Sequence, residues 1–270
     1  MRKTSWFNVV SLTTGFAFLY IPIIILVIFS FNKSKLVTVW AGFSTKWYGE
    51  LLSNEAFLDA AWVTLRVGLW SSTIATVLGT MAALVMVRGG RFFGRTLFTG
   101  MIYAPLVMPE VITGLSLLLL FIAIGLDRGA TTIVLAHATF SMCYVSVVVS
   151  SRLSTFDQSL EEAALDLGCT AFDAFKSVTL PIIAPAVASG WLLAFTLSLD
   201  DLVIASFTAG PSSTTLPIKI YSSVRLGVSP EINALSSIII GLVTIGVLTA
   251  SIASKRAIRR QQIEERRAIG

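Results

Sequence analysis

From Val9 to Phe29 the chain runs twenty-one residues without a charged side chain. Such a run suits the hydrocarbon core of a bilayer, which takes about 20 helical residues at about 1.5 Å each. Further uncharged runs cover Val67–Val87, Ala130–Ser151, Ser177–Leu199 and Ile232–Ser254, and Thr96–Leu126 is apolar apart from Glu110. Six spans are therefore predicted, at about 9–30, 64–87, 97–125, 130–151, 183–207 and 232–254. Backbone groups in lipid must bond within the chain, and runs apolar all round point to helices rather than a barrel. The expectation is an all-α integral membrane protein with a single transmembrane domain over 1–270.

Composition narrows the function. Only 13% of residues are charged and 55% are hydrophobic, where a water-soluble chain carries about a quarter charged residues. A soluble enzyme with a wet surface is excluded, and a net charge of +5 is weak evidence for nucleic-acid binding. Arg2 and Lys3 before the first run suggest a secretory leader. The run is too long for one, however, and no small-x-small cleavage site follows, so it reads as a retained membrane helix. Thirteen of the twenty lysines and arginines fall on the side of the N-terminus, including Arg88, Arg91, Arg95 and those of Lys255–Arg267, against six on the other side. That bias predicts both termini in the cytoplasm. The tail 255–270 reads as a topology anchor near anionic lipid, since Glu264 and Glu265 interrupt its basic run. Between spans one and two, Ser44–Leu52 is expected to form a short interfacial helix. Cys143 lies in an apolar run and Cys169 in a polar loop, a poor pair for a disulfide.

The cytoplasmic loop 152–181 is patterned. Asp157 can cap a helix from Gln158 that sets Leu160, Ala163, Ala164 and Leu167 on one side, and Gly168 can end it in a left-handed conformation. Thr170 to Asp173 reads as a capping box opening a second short helix that presents Phe172 and Phe175. Pro181 and Pro185 predict a bend or restart before span five. Two short helices with one apolar face must bury it against the chain's own bundle or against a cytosolic partner.

Glu162-Ala163-Ala164, Gly168 and Val178-Thr179-Leu180-Pro181 stand at the spacing glutamate-alanine-alanine-x3-Gly-x9-Ile-x-Leu-Pro, with valine in the isoleucine place. The chain thereby resembles the permeases of ABC importers. Leu36–Trp40, Ala104–Gly114 and Leu197–Phe207 further resemble the smaller permease subunit of polyamine importers, putrescine importers above all. The resemblance implies a type I (MetI-like) permease fold with a cytoplasmic coupling helix between spans four and five, in a bacterial inner membrane. It implies as partners a second homologous permease, a cytosolic ABC ATPase dimer and an extracytoplasmic polyamine-binding protein. No cofactor is expected on this chain, since ATP and Mg would bind the ATPase. By the same resemblance Glu161, Glu162, Ala163, Ala164, Gly168, Leu180 and Pro181 would form the coupling segment, with either glutamate bearing the contact.

Glu110, Asp200 and Asp201 are acids inside predicted spans. A charge facing lipid is costly, so they are expected to face protein, water or ligand. Counted along straight helices, Glu110 lies roughly 20 Å in from Leu97 and the aspartates roughly 23 Å in from Pro185, a common depth in the outer half. They would polarise a cation pathway, or else cap backbone groups or pair with Arg66. The adjacent aspartates point about 100° apart on a helix, so one of the two would face the path squarely. Tyr103, Tyr144 and Trp191 could add aromatic faces or pack ordinarily. His137, the sole histidine, reads as a helix–helix hydrogen bond ahead of a proton relay. Pro105 and Pro109 leave carbonyls without donors and predict a broken or kinked span three, serving as a gate or only adjusting packing. No G-x4-G-K-S/T loop and no nucleophile–base pair is present. By the resemblance, a permease subunit of an ATP-driven polyamine importer, forming half of the translocation pathway, is favoured over a permease for another small organic cation, a membrane-embedded enzyme or a non-transporting scaffold.

Overall fold

The computed structural model describes residues 6–36, 39–227 and 229–245. Their regular structure is helical: α1 (Trp6–Ser30), α2 (Lys46–Ser53), α3 (Glu55–Arg88), α4 (Arg95–Val107), α5 (Glu110–Ala123), α6 (Ala130–Ser154), α7 (Ser159–Asp166), α8 (Ala171–Ala174), α9 (Leu180–Asp200), α10 (Val203–Thr208), α11 (Leu216–Leu226) and α12 (Pro230–Ile245). Internal contacts divide the chain into two units, one before Ala56 and after Tyr221, the other Ala56–Tyr221.

In the first unit α1 keeps its apolar side chains exposed, and none of its most apolar stretch is buried. A helix apolar on every side satisfies its own backbone and leaves its side chains to lipid. After it, the chain turns on Asn32, which is 1% exposed. The Asn32 amide donates to the Val39 carbonyl at 2.7 Å and accepts from the Ala41 N–H at 2.9 Å, while Trp47 Nε1 donates to the Asn32 carbonyl at 2.6 Å. Asn32 thus satisfies a loop that would otherwise hold orphan backbone groups. Trp47 and Leu51, one turn apart on α2, are the buried side of the helix expected over Ser44–Leu52. Helix α12 follows Ser229, whose hydroxyl accepts from the Glu231 N–H at 3.3 Å. The remainder of the span predicted over 232–254, the tail 255–270, and Arg2 and Lys3 lie outside the described residues.

In the second unit α6 is central, with 61% of its apolar stretch buried. Small residues of α3 let it approach: a Cβ at Gly79 would lie 2.7 Å from the Met142 carbonyl oxygen and 2.7 Å from Val145 Cβ. Gly190 of α9 also meets Val145, and Val145, Val149, Leu153, Ala75, Ala83, Ile183 and Ala194 form one apolar core. Close packing of this kind replaces the hydrophobic drive that lipid does not supply. Gly79→Ala is expected to force α3 off α6 at about 1–3 kcal/mol. A lowered melting temperature of the purified transporter would show it, and an unchanged one would refute the tight crossing.

The count of six spans needs correction among the described residues. Four helices are long and apolar enough to cross a membrane: α1, α3, α6 and the continuous run Ala171–Asp200. The span predicted over 97–125 is two helices, α4 and α5, bent by 117°, and counts as a fifth only if the pair is taken together. Its break falls at Met108, which is extended (ψ 140°) as a residue before proline should be, while Pro105 stays inside α4. Glu110 therefore opens α5, and a depth counted along one straight helix does not apply to it. Span five, predicted over 183–207, stops at Asp200 and resumes as α10 after Asp201 and Leu202. Ahead of it, a five-residue π turn, Phe175–Thr179, stands where a bend or restart was expected. Pro181 has no N–H to return to the preceding turn, and the wider turn absorbs the mismatch.

Candidate functional site

The break between α9 and α10 places three carboxylates on one cavity of about 220 Å³, lined by Glu110, Phe140, Leu197, Asp200, Asp201, Leu202 and Val203. Glu110 comes from the first turn of α5, Phe140 from α6, and Asp200 from the last residue of α9. No lysine or arginine among the described residues lines the cavity. A cavity with acids and no base attracts a cation and offers a dehydrated one carboxylate oxygens in place of water. Phe140, 7% exposed, adds an aromatic wall, and its ring centroid lies 5.2 Å from that of Tyr144.

The two aspartates have different surroundings. Asp201 accepts from the Ala205 N–H at 2.7 Å and the Ile204 N–H at 3.3 Å, so it caps α10. Its carboxylate also meets His137 Nε2 at 3.0 Å. His137 is 2% exposed, and its Nδ1 lies 2.7 Å from Ser198 Oγ, which accepts from the Ser71 hydroxyl at 3.1 Å. With Nε2 donating to the Asp201 carboxylate, the imidazole links Asp201 to Ser198. These bonds tie α3, α6, α9 and α10 together. Asp200 is exposed, with no such set of partners among the described residues.

On the cytoplasmic loop, α7 ends at Gly168 in the left-handed conformation (φ +89°). The Gly168 N–H bonds the Leu165 carbonyl at 2.9 Å and the Cys169 N–H the Ala164 carbonyl at 3.1 Å, a paired arrangement that satisfies the helix end. Thr170 caps α8, accepting from the Asp173 N–H at 3.2 Å and donating to its carboxylate at 2.6 Å. At the other end of α7, the Ser159 N–H donates to Asp157 at 3.0 Å, and this bond with that of the Ser159 side chain holds the Asp157 carboxyl below its ordinary value. The cap is thus in place at neutral pH and is lost only as pH falls through that lowered value. Glu161 pairs with Arg88 at the end of α3, whose guanidinium stacks 4.9 Å over the Phe156 ring. Glu162 and Ala163 are exposed and Ala164 half-buried, beside Leu160, Leu165, Leu167 (86% exposed) and Phe172 (71% exposed). The described bundle does not cover this face.

Residues 75–263 match the family model described as the binding-protein-dependent transport system inner membrane component. The chain belongs to that family. It is a multi-pass permease of the bacterial inner membrane, a transport component rather than an enzyme. The permease is 59% identical over 249 residues to the putrescine transport system permease protein PotI of Escherichia coli, covering 90% of this chain and 88% of that one. It is 43% identical over 244 residues to the spermidine/putrescine transport system permease protein PotC of Escherichia coli, covering 90% and 92%. Its fold matches a crystal structure of a bacterial ABC transporter involved in the import of the acidic polysaccharide alginate, with TM-score 0.70, 17% identity, and 92% and 94% of the two chains covered.

Several sequence-predicted residues of the permease lie apart from the acidic cavity. Trp191 donates from Nε1 to Thr73 Oγ1 at 3.2 Å and stacks on Phe195, so it packs α9 on α3. Tyr103 on α4 is exposed, and Tyr144 packs its ring on Phe140; neither is among the residues that line the cavity. Arg66 makes no ion pair with an acid among the described residues. Leu180 and Pro181 open α9 within the continuous helix Ala171–Asp200, so they lie on the span and not in the loop proper. Phe140 and Ser198 were missed. Each sits in an uncharged run, where nothing but its place on the α6 or α9 face distinguishes it from packing.

Proposed function

We propose that this permease forms half of the translocation pathway of an ATP-driven polyamine importer, with Glu110 and Asp200 as its cation contacts. The observation that carries this reading is the convergence of carboxylates from α5 and α9 on one cavity that no basic residue among those described lines. The names of the similar Escherichia coli permeases, putrescine for one and spermidine/putrescine for the other, support the substrate class. An amine losing water needs anionic or aromatic faces in return, and Glu110, Asp200 and Phe140 offer both.

In the same reading the partners are a second homologous permease, a cytosolic ABC ATPase dimer and an extracytoplasmic binding protein. Helix α7 is the coupling helix: Glu162, Ala163 and Ala164 meet the ATPase, Gly168 sets the turn, and Glu161 holds the helix to Arg88. The exposed Leu160, Leu167 and Phe172 support a cytosolic partner over burial in the bundle. Helix α12 is the described part of a sixth span, α4 and α5 form one broken span whose Met108–Pro109 joint can act as a gate, and both termini are cytoplasmic. ATP and Mg are handled by the ATPase.

The test is uptake of labelled putrescine by the complete reconstituted complex. Glu110→Gln with Asp200→Asn should lower flux about tenfold or more while the complex assembles, since each lost charge-assisted contact is worth about 1.5–3 kcal/mol. Unchanged flux kinetics would reject the pathway.

A further inference from the structure

A second cavity, about 310 Å³, lies between α3 and α6, lined by Arg66, Trp70 and Ile74 of α3 with Thr131, Val134 and Leu135 of α6 among its walls. It faces away from the acidic cavity. On α6, at about 100° per residue, Thr131 and Leu135 project about 180° and 140° from Phe140. Apart from Arg66 its walls are almost wholly apolar, and Arg66 has no ion pair or hydrogen bond among the described residues.

Position along α3 fixes the depth. Arg66 and Arg88 are 22 residues apart on one helix, about 33 Å at the usual rise, which matches the thickness of a bilayer's hydrocarbon core. If Arg88 marks one headgroup layer, Arg66 marks the other. Trp62 and Trp70, one turn to either side of Arg66 and both exposed, are the aromatic residues expected at that level. From Arg66 the groove runs by Trp70 and Ile74 towards Arg88, that is, into the acyl region.

The geometry points to an anionic phospholipid site, with the phosphate on Arg66 and one acyl chain in the groove beneath it. Charge complementarity selects this occupant. An apolar transmembrane helix of another subunit would fill the apolar part, but an apolar face brings a lone arginine no counter-charge. A lipid phosphate supplies one at the required depth.

The test places a photo-crosslinking benzophenone residue at Thr131 in the complete transporter, reconstituted in vesicles of equal phosphatidylglycerol and phosphatidylcholine. The expected adduct is phosphatidylglycerol in excess of phosphatidylcholine. Arg66→Gln should lower that ratio about fivefold, the change expected for one arginine near an anionic headgroup, and Arg66→Lys should keep most of it. A ratio unaffected by Arg66→Gln would overturn the proposal, as would an adduct with a polypeptide, which would make the groove a subunit interface.

Discussion

Gly168→Val is expected to leave the permease in the membrane and in its complex, yet to cut ATP-driven uptake on the order of tenfold. Gly168 sits at φ +89°, and no neighbouring atom lies near a built Cβ, so the obstacle is the backbone conformation and not space. A β-branched residue pays about 1–2 kcal/mol or more in the left-handed region, close to a tenfold change in the population of the native turn. What is lost with the turn is specific. The Gly168 and Cys169 N–H bonds end α7 and aim Thr170 into the cap of α8, which runs on through the π turn into α9. The turn therefore sets the angle at which a push on α7 reaches a membrane-spanning helix. Substrate-stimulated ATPase activity should fall together with uptake, whereas basal ATPase activity persists. Normal stimulation and uptake in the variant would refute the coupling role, and Gly168→Ala, with a smaller side chain, should lie between.

That turn was legible in the sequence because its physics is local. A cap, an apolar stripe and a glycine within twelve residues specify a short helix and its stop, and Asp157, Thr170 and Gly168 act as their residue types predict. The long uncharged runs marked α1, α3 and α6 for the same reason, since the bilayer reads length and polarity alone. What the runs hid were the breaks. Pro105 and Pro109 announced an irregularity without saying which would carry it. A proline inside a helix costs a bond, but a 117° turn also needs an extended residue, and Met108 supplies it. The interruption at Asp201–Leu202 has no proline or glycine to signal it. It exists because His137 on α6 and the first N–H groups of α10 all find the Asp201 carboxylate. That is a tertiary arrangement, and no spacing in the chain encodes it. Asn32 escaped notice likewise, since its value lies in the loop groups it collects from seven and nine residues away.

His137→Ala is expected to harm transport and stability together, whereas Asp200→Asn harms transport alone. The imidazole is nearly fully buried and bonded at both nitrogens, so its removal leaves the buried Ser198 hydroxyl without that partner and leaves Asp201 Oδ2 with the Ala205 N–H but without its side-chain donor. A buried group so orphaned costs about 1–3 kcal/mol. Asp201 would then relax its hold on Ile204 and Ala205, the start of α10 would shift, and Asp200, at the other lip of the same break, would shift with it. Uptake should drop about tenfold, and the melting temperature of the purified complex should fall by several degrees. Asp201→Asn keeps one acceptor for the backbone but loses the charge-assisted bond to Nε2, so it should show the same paired losses in milder form. Asp200→Asn removes a charge from an exposed side chain with no comparable set of partners, and its melting temperature should match that of the parent while flux falls. His137→Gln, whose amide reaches one of the two partners, should recover part of both losses. The division of labour fails if His137→Ala melts and transports like the parent, or if Asp200→Asn destabilises the complex as much as Asp201→Asn does.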